Sequence, residues 1–184
     1  MNDSGMKLNL KDLEADGVLS DCERSLDLLE QVPEGDRQLF RIYWTYCLVC
    51  LRRMDDVLAG IDSHRFPLLG AQYKCRQKEL DALKELNKGL PYEQCDKDYL
   101  IYWRFIRNER NRSAHKEGPT SFETWTVIGE GLNFDLGDVY LPFSDIEMMG
   151  DHDCRDWLRD AIDWWREELK RMVVSAGEQD SGMK

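Results

Sequence analysis

The stretch that decides the fold is Tyr99–His115, YLIYWRFIRNERNRSAH. On a helix advancing about 100° per residue, Tyr99, Tyr102, Trp103, Ile106, Arg110 and Ser113 share one face. An aromatic-rich stripe therefore runs straight into Arg110. A guanidinium on a core stripe needs a partner, because burying it unpaired costs several kcal/mol or more. At that height the helix must meet an anion, a carboxylate, a cleft or a second subunit.

Outward from this run the chain reads as a series of helices. Ser20 stands as an N-cap with Asp21 and Glu23 in the first turn, and Leu26, Leu29 and Val32 form a short stripe that ends at Pro33-Glu34-Gly35. After Asp36 a long helix carries Leu39, Ile42, Tyr43, Tyr46, Cys50 and Met54, and Gly60 with the residues up to Pro67 breaks it. A third helix is expected from Leu68 to about Leu86, and the fourth from Tyr92 or Asp96 to near Ala114, closed by Gly118-Pro119. The character then changes. β-Branched and aromatic residues around Gly129, Gly131 and Gly137 predict a β-hairpin over about 122–143, with strands Thr124–Ile128 and Asp138–Phe143, a rather long connection and a seat on the helices. A last helix from about His152 to Val174 presents Trp157, Leu158, Ile162, Trp165, Leu169 and Met172 on one side. The expected fold is mostly α: one helical bundle over 20–174 with a β-hairpin insertion before the last helix, a flexible segment at 1–19 and a disordered tail at 175–184.

Composition sets bounds on function. A chain of 184 residues, 42% hydrophobic and 33% charged, suits one soluble domain, and it holds no run of eighteen apolar residues. Its first residues lack a basic start, an apolar run and a small-residue cleavage site, so a cytoplasmic protein with no membrane association is expected. Cys22, Cys47, Cys50, Cys75, Cys95 and Cys154 are expected to be reduced thiols, several of them packed as small hydrophobes. A net charge of −11 repels polyanions at long range, so nucleic-acid binding would need a local basic site. Arg104, Arg107, Arg112 and Lys116 form such a cluster, although helix-end cations also pair with neighbours such as Glu109 and Glu117. Tyr99, Tyr102 and Trp103 read as core rather than as base-stacking residues.

No metal or cofactor is expected. Cys47 and Cys50 lack a second pair, His64 stands alone, His152 and Cys154 make no ligand set, and Asp55-Asp56, Asp151, Asp153 and Asp156 read as helix-terminus and surface acids. Arg110 and His115 are the reactive pair to place. On a straight helix five residues turn through about 500°, which leaves the two side chains roughly 140° apart. Two routes would bring them together: the helix loosens before His115, or two chains meet about a two-fold axis. By residue type alone the pair reads as a surface contact with a favourable helix-end charge.

The run Arg110-Asn111-Arg112-Ser113-Ala114-His115 also resembles the motif of the HEPN family, an arginine, a polar residue, a few residues and a histidine near the end of a core helix. The resemblance spans about Asp36 to Val174. It implies an HEPN-like helical bundle and a metal-independent endoribonuclease, often a toxin or defence effector, with its site at a homodimer interface. It further implies that His115 transfers the proton at the ribose 2′-hydroxyl or the leaving oxygen, that Arg110 holds the phosphate, and that Asn111 orients the pair, leaving a 2′,3′-cyclic phosphate. An imidazole near neutrality and a forked guanidinium suit those tasks. Implied partners are an RNA substrate, a second copy of the chain, and a protein partner or antitoxin. Members paired with a nucleotidyltransferase antitoxin often carry a tyrosine two residues after the histidine, where this chain has Glu117. Other members are non-catalytic dimerisation or protein-interaction modules, which is the alternative reading.

Overall fold

Helices account for nearly all of the computed structural model, which describes residues 8–33, 35–108, 128–129, 132–133 and 154–182. Helix α1 is Glu14–Glu30 and α2 is Arg37–Val57. The chain continues from α2 through a π-wound segment, Leu58–Asp62, and a short turn, Ser63–Arg65. Helix α3 is Pro67–Leu86; α4 starts as Lys97–Tyr99 and continues π-wound over Leu100–Arg107; α5 is Cys154–Gly182. Helices α1 and α2 pack as a hairpin, and α5 lies against α1, α2, α3 and α4.

Local chemistry explains most boundaries. Asp36 caps α2 by accepting from the Leu39 amide at 3.0 Å, and Asp96 caps α4 by accepting from the Asp98 amide at 2.8 Å. Pro67 forces Phe66 to leave the helical region (φ −131°, ψ 84°) and then serves as the first residue of α3. Gly60 does not end the helix, as its residue type predicts; the π winding carries the chain past it. At the next turn, Gly70 faces Ser63 so closely that a Cβ would lie 2.7 Å from its Oγ.

Three expectations are corrected here. The first helix begins at Glu14, six residues before Ser20, because its N-terminus is capped from a distance: the fully buried Asp62 accepts from the amides of Glu14 (2.9 Å) and Ala15 (3.0 Å). Ser20 is an interior residue whose hydroxyl donates back to the Asp16 carbonyl at 2.9 Å. Residues 10–19 therefore belong to the fold, with Leu13, Ala15, Val18 and Leu19 buried. The last helix continues past Val174 to Gly182, and Ala176 is still buried, so the segment from 175 starts as helix. Among the described residues the expected β-hairpin insertion is not found. Ile128, expected to pair with the 138–143 strand, pairs with Asn133, and Gly129 with Leu132, an antiparallel bridge of two residues per strand. Two residues per strand are too few to make a sheet, and residues 122–127 and 134–143 of the expected hairpin lie outside the described residues.

The core is aromatic. Trp44, Trp165, Tyr102, Phe40 and Phe105 are fully buried, each burial being worth about 1.5–3 kcal/mol. Trp44 meets Phe105 edge-on at 6.0 Å, and Tyr102 meets Trp164 at 5.5 Å and Trp165 at 6.2 Å. Four cysteines, Cys22, Cys47, Cys50 and Cys154, are buried as free thiols, while Cys75 is exposed. Among the described residues no helix is long and apolar enough to cross a membrane.

Remote capping can be tested directly. Asp62→Ala should lower stability by about 1–2 kcal/mol, read as a lower urea midpoint at unchanged slope, whereas Ser20→Ala should cost less than about 0.5 kcal/mol. Equal losses for the two would return the cap to Ser20.

Candidate functional site

The structure describes Arg104 and Arg107 of the predicted site; Arg110, Asn111, Arg112, His115 and Lys116 lie outside the described residues. What it shows in full is the base on which that run stands. The π winding of Leu100–Arg107 makes residues five apart neighbours. Arg107 consequently lies over Tyr102, its Cζ 5.2 Å from the ring centroid, and Nη2 donates to the Tyr102 hydroxyl at 2.9 Å. The predicted face holds at Tyr99, Tyr102 and Ile106, which are buried, and widens to take in Ile101 and Phe105. Ile101, Tyr102, Phe105 and Ile106 are the buried residues of this segment, while Trp103 is half-buried on its flank.

Below Arg107 sits a carboxylate that the motif reading passed over. Asp55, only 4% exposed, accepts from the Tyr73 hydroxyl (3.0 Å), the Gln77 amide (3.3 Å), the Tyr102 hydroxyl (2.9 Å), Arg52 (2.5 Å) and Arg107 (3.4 Å). Tyr102 also lies 3.0 Å from the Gln77 side-chain oxygen, so its single proton serves Asp55 or Gln77 while its lone pairs face Arg107. Burial pushes the Asp55 carboxyl up, against the pull of Arg107, Tyr102 and Arg52. Burial and then the Asp55 charge push the Tyr102 phenol up to about 12. Burial opposes the charge on Arg107, but Tyr102 and Asp55 outweigh it and hold the guanidinium above its usual range.

Asp55 was legible in one respect. It sits four residues after Leu51 and three before Leu58, on the apolar face of α2, which is the same sign of a misplaced charge that singles out Arg110. Tyr73 and Gln77, one turn apart on α3, gave no such sign. Nor does the pair Asp55-Asp56 hold together as a cation site: Asp55 is turned to arginines and phenols, and Asp56 is exposed.

Arg107 is therefore an anchored residue with one edge outward, its side chain 28% exposed. Its Cζ lies 4.9 Å from the Trp103 ring centroid, and Lys84 of α3 places Nζ 4.4 Å from the same centroid. The Trp103 indole donates to the Leu80 carbonyl at 2.7 Å, which fixes the ring. Arg104 is half-buried on the same segment.

A second ionic cluster joins α3, α4 and α5. Arg76 donates from Nε to Glu168 at 2.8 Å and also pairs with Glu79 and Asp98, and Arg171 pairs with Glu168. Trp164 donates to Asp98 at 2.9 Å. Burial raises the Glu168 carboxyl, while Arg76 pulls it down. Arg76 and Glu168 at the centre of this cluster lie largely out of water and are paired, while Glu79 and Arg171 at its edge are exposed.

Comparison of the chain with protein-family models, with curated proteins and with solved structures gave no match.

The Asp55 cluster carries a pH signature. Folding raises the Asp55 pKa, so the folded state holds that proton more tightly than the unfolded chain. The resulting penalty is absent below the unfolded carboxyl pKa of about 3.9 and complete above the folded value. The stability difference between wild type and Asp55→Asn, followed by urea unfolding, should therefore move in favour of the wild type as pH falls toward about 4. Glu168 shifts the same way in both proteins and cancels; a difference flat with pH would refute the assignment to Asp55.

Proposed function

We propose that the chain is a metal-independent endoribonuclease of HEPN type, a toxin or defence effector, that cleaves RNA by 2′-hydroxyl attack at a site formed between two copies. The observation that supports this reading is the anchoring of Arg107. A buried carboxylate and a phenol hold it on a core helix, and Arg110, Asn111 and His115 follow within eight residues of the sequence. A catalytic pair gains from a rigid base, because reacting groups must be held near productive geometry. In this reading His115 moves the proton of the 2′-hydroxyl or the leaving oxygen, Arg110 neutralises the charge that develops on the phosphate, and Asn111 orients them.

One observation favours the alternative, a non-catalytic dimerisation or protein-interaction module. Ile42, Tyr46 and Val49 are exposed along one face of α2, and Leu28 of α1 is exposed as well.

The readings separate in one assay. Incubated with RNA and EDTA, the wild type should cut and leave 2′,3′-cyclic phosphate ends, and His115→Ala and Arg110→Ala should each be slower by about 10²–10⁴-fold. Intact RNA across varied substrates, or equal cutting by the variants, would leave the interaction module.

A further inference from the structure

We infer that Lys84, Trp103 and Arg107 form a contact surface for single-stranded RNA, in which one fixed indole holds two cations that bind phosphates of a strand. This rests on the ribonuclease reading and extends it to α3. The cations share one ring: Lys84 Nζ is 4.4 Å and Arg107 Cζ 4.9 Å from the Trp103 centroid. Neither the ring nor Arg107 is free to wander, since the indole donates to Leu80 and Nη2 of Arg107 is held by Asp55 and Tyr102. Among the described residues no carboxylate pairs with Lys84 and none accepts from Nη1 of Arg107, and the Arg107 side chain is 28% exposed.

The charge balance points to an anion. Among the described residues Asp55 is one carboxylate facing two guanidiniums, those of Arg52 and Arg107, so these groups retain positive charge before Lys84 is added. Lys88, exposed in the turn that follows α3, adds a further cation four residues on from Lys84, while Asp81 and Glu85, exposed on α3 itself, oppose it. In a chain of net charge −11 such a site works by contact and not by long-range attraction. Single strands suit it better than duplexes, because cations spaced by aromatic surface follow an irregular backbone, and a guanidinium plane offers an unpaired base a stacking face. Trp103 acts here as a positioning residue: its ring faces carry the cations, and the cations meet the strand.

The test is fluorescence anisotropy with the full chain and a labelled single-stranded 2′-O-methyl oligonucleotide, which lacks the attacking hydroxyl and stays uncut. Lys84→Ala should weaken binding several-fold and reduce the slope of log affinity against log salt by about 0.7, the contribution of one single-strand phosphate contact. Lys84→Arg should restore both, and Lys170→Ala, on α5, should change neither. Unchanged affinity and slope for Lys84→Ala, an equal loss for Lys170→Ala, or no binding at all would overturn the surface. If RNA is cut while Lys84→Ala binds normally, the surface falls and the ribonuclease reading stands. If binding depends on Lys84 but RNA is never cut, the reverse holds. Preference for a protein ligand in place of the oligonucleotide would also overturn the surface.

Discussion

The structure depends on one buried carboxylate. Asp55 comes from α2, its phenol and amide donors Tyr73 and Gln77 from α3, and Tyr102 and Arg107 from α4. A carboxylate out of water is costly unless its lone pairs are filled, and here no single helix can fill them. The three helices must therefore meet at one height and one rotation. Apolar packing alone tolerates sliding by a fraction of a turn; this junction does not. The π winding of α4 is the matching device, because it turns Arg107 back over Tyr102 and lets two donors five residues apart serve the same acceptor.

The helices were legible where periodicity and punctuation agreed. Asp36 marked one helix start and Asp96 was one of two starts open for another, and the structure uses both as caps; Pro67, read as part of a break, is the first residue of α3. Sequence failed where the cause was remote. Ser20 looks like a cap, but the amides that need capping belong to Glu14 and Ala15, and their acceptor lies 48 residues from Glu14. Counting 100° per residue placed Tyr99, Tyr102 and Ile106 in the core but missed Ile101 and Phe105, since nothing in the residue types of LIYWRFIR signals a wider winding. At the candidate site, Arg107 was picked as an RNA contact from charge alone. Its tether to Asp55 and its pairing with Lys84 across Trp103 needed three helices to be seen together.

Two ionic clusters divide the work of specificity. The Asp55 junction fixes α2, α3 and α4, while Arg76 with Glu168 and Asp98 ties α3, α4 and α5. Along α1, Arg166 of α5 reaches Asp16 (2.6 Å) and Glu23, and Arg159 reaches Glu30 (2.6 Å). The outer pairs are partly solvated and worth little individually. Their value is in placing one long helix against several partners at once, which excludes other arrangements of an apolar bundle.

That placement of α5 has a consequence for synthesis. Arg166 and Asp16 are 150 residues apart, and Trp165 and Leu169 of α5 close the core that Tyr102 and its neighbours begin. A chain growing from its N-terminus emerges from the ribosome with α1–α4 first, their aromatic face still bare and Glu168 not yet beside Arg76. Native order must wait for α5, so nascent chains spend the intervening elongation time as sticky, partly ordered species, the kind that chaperones attend.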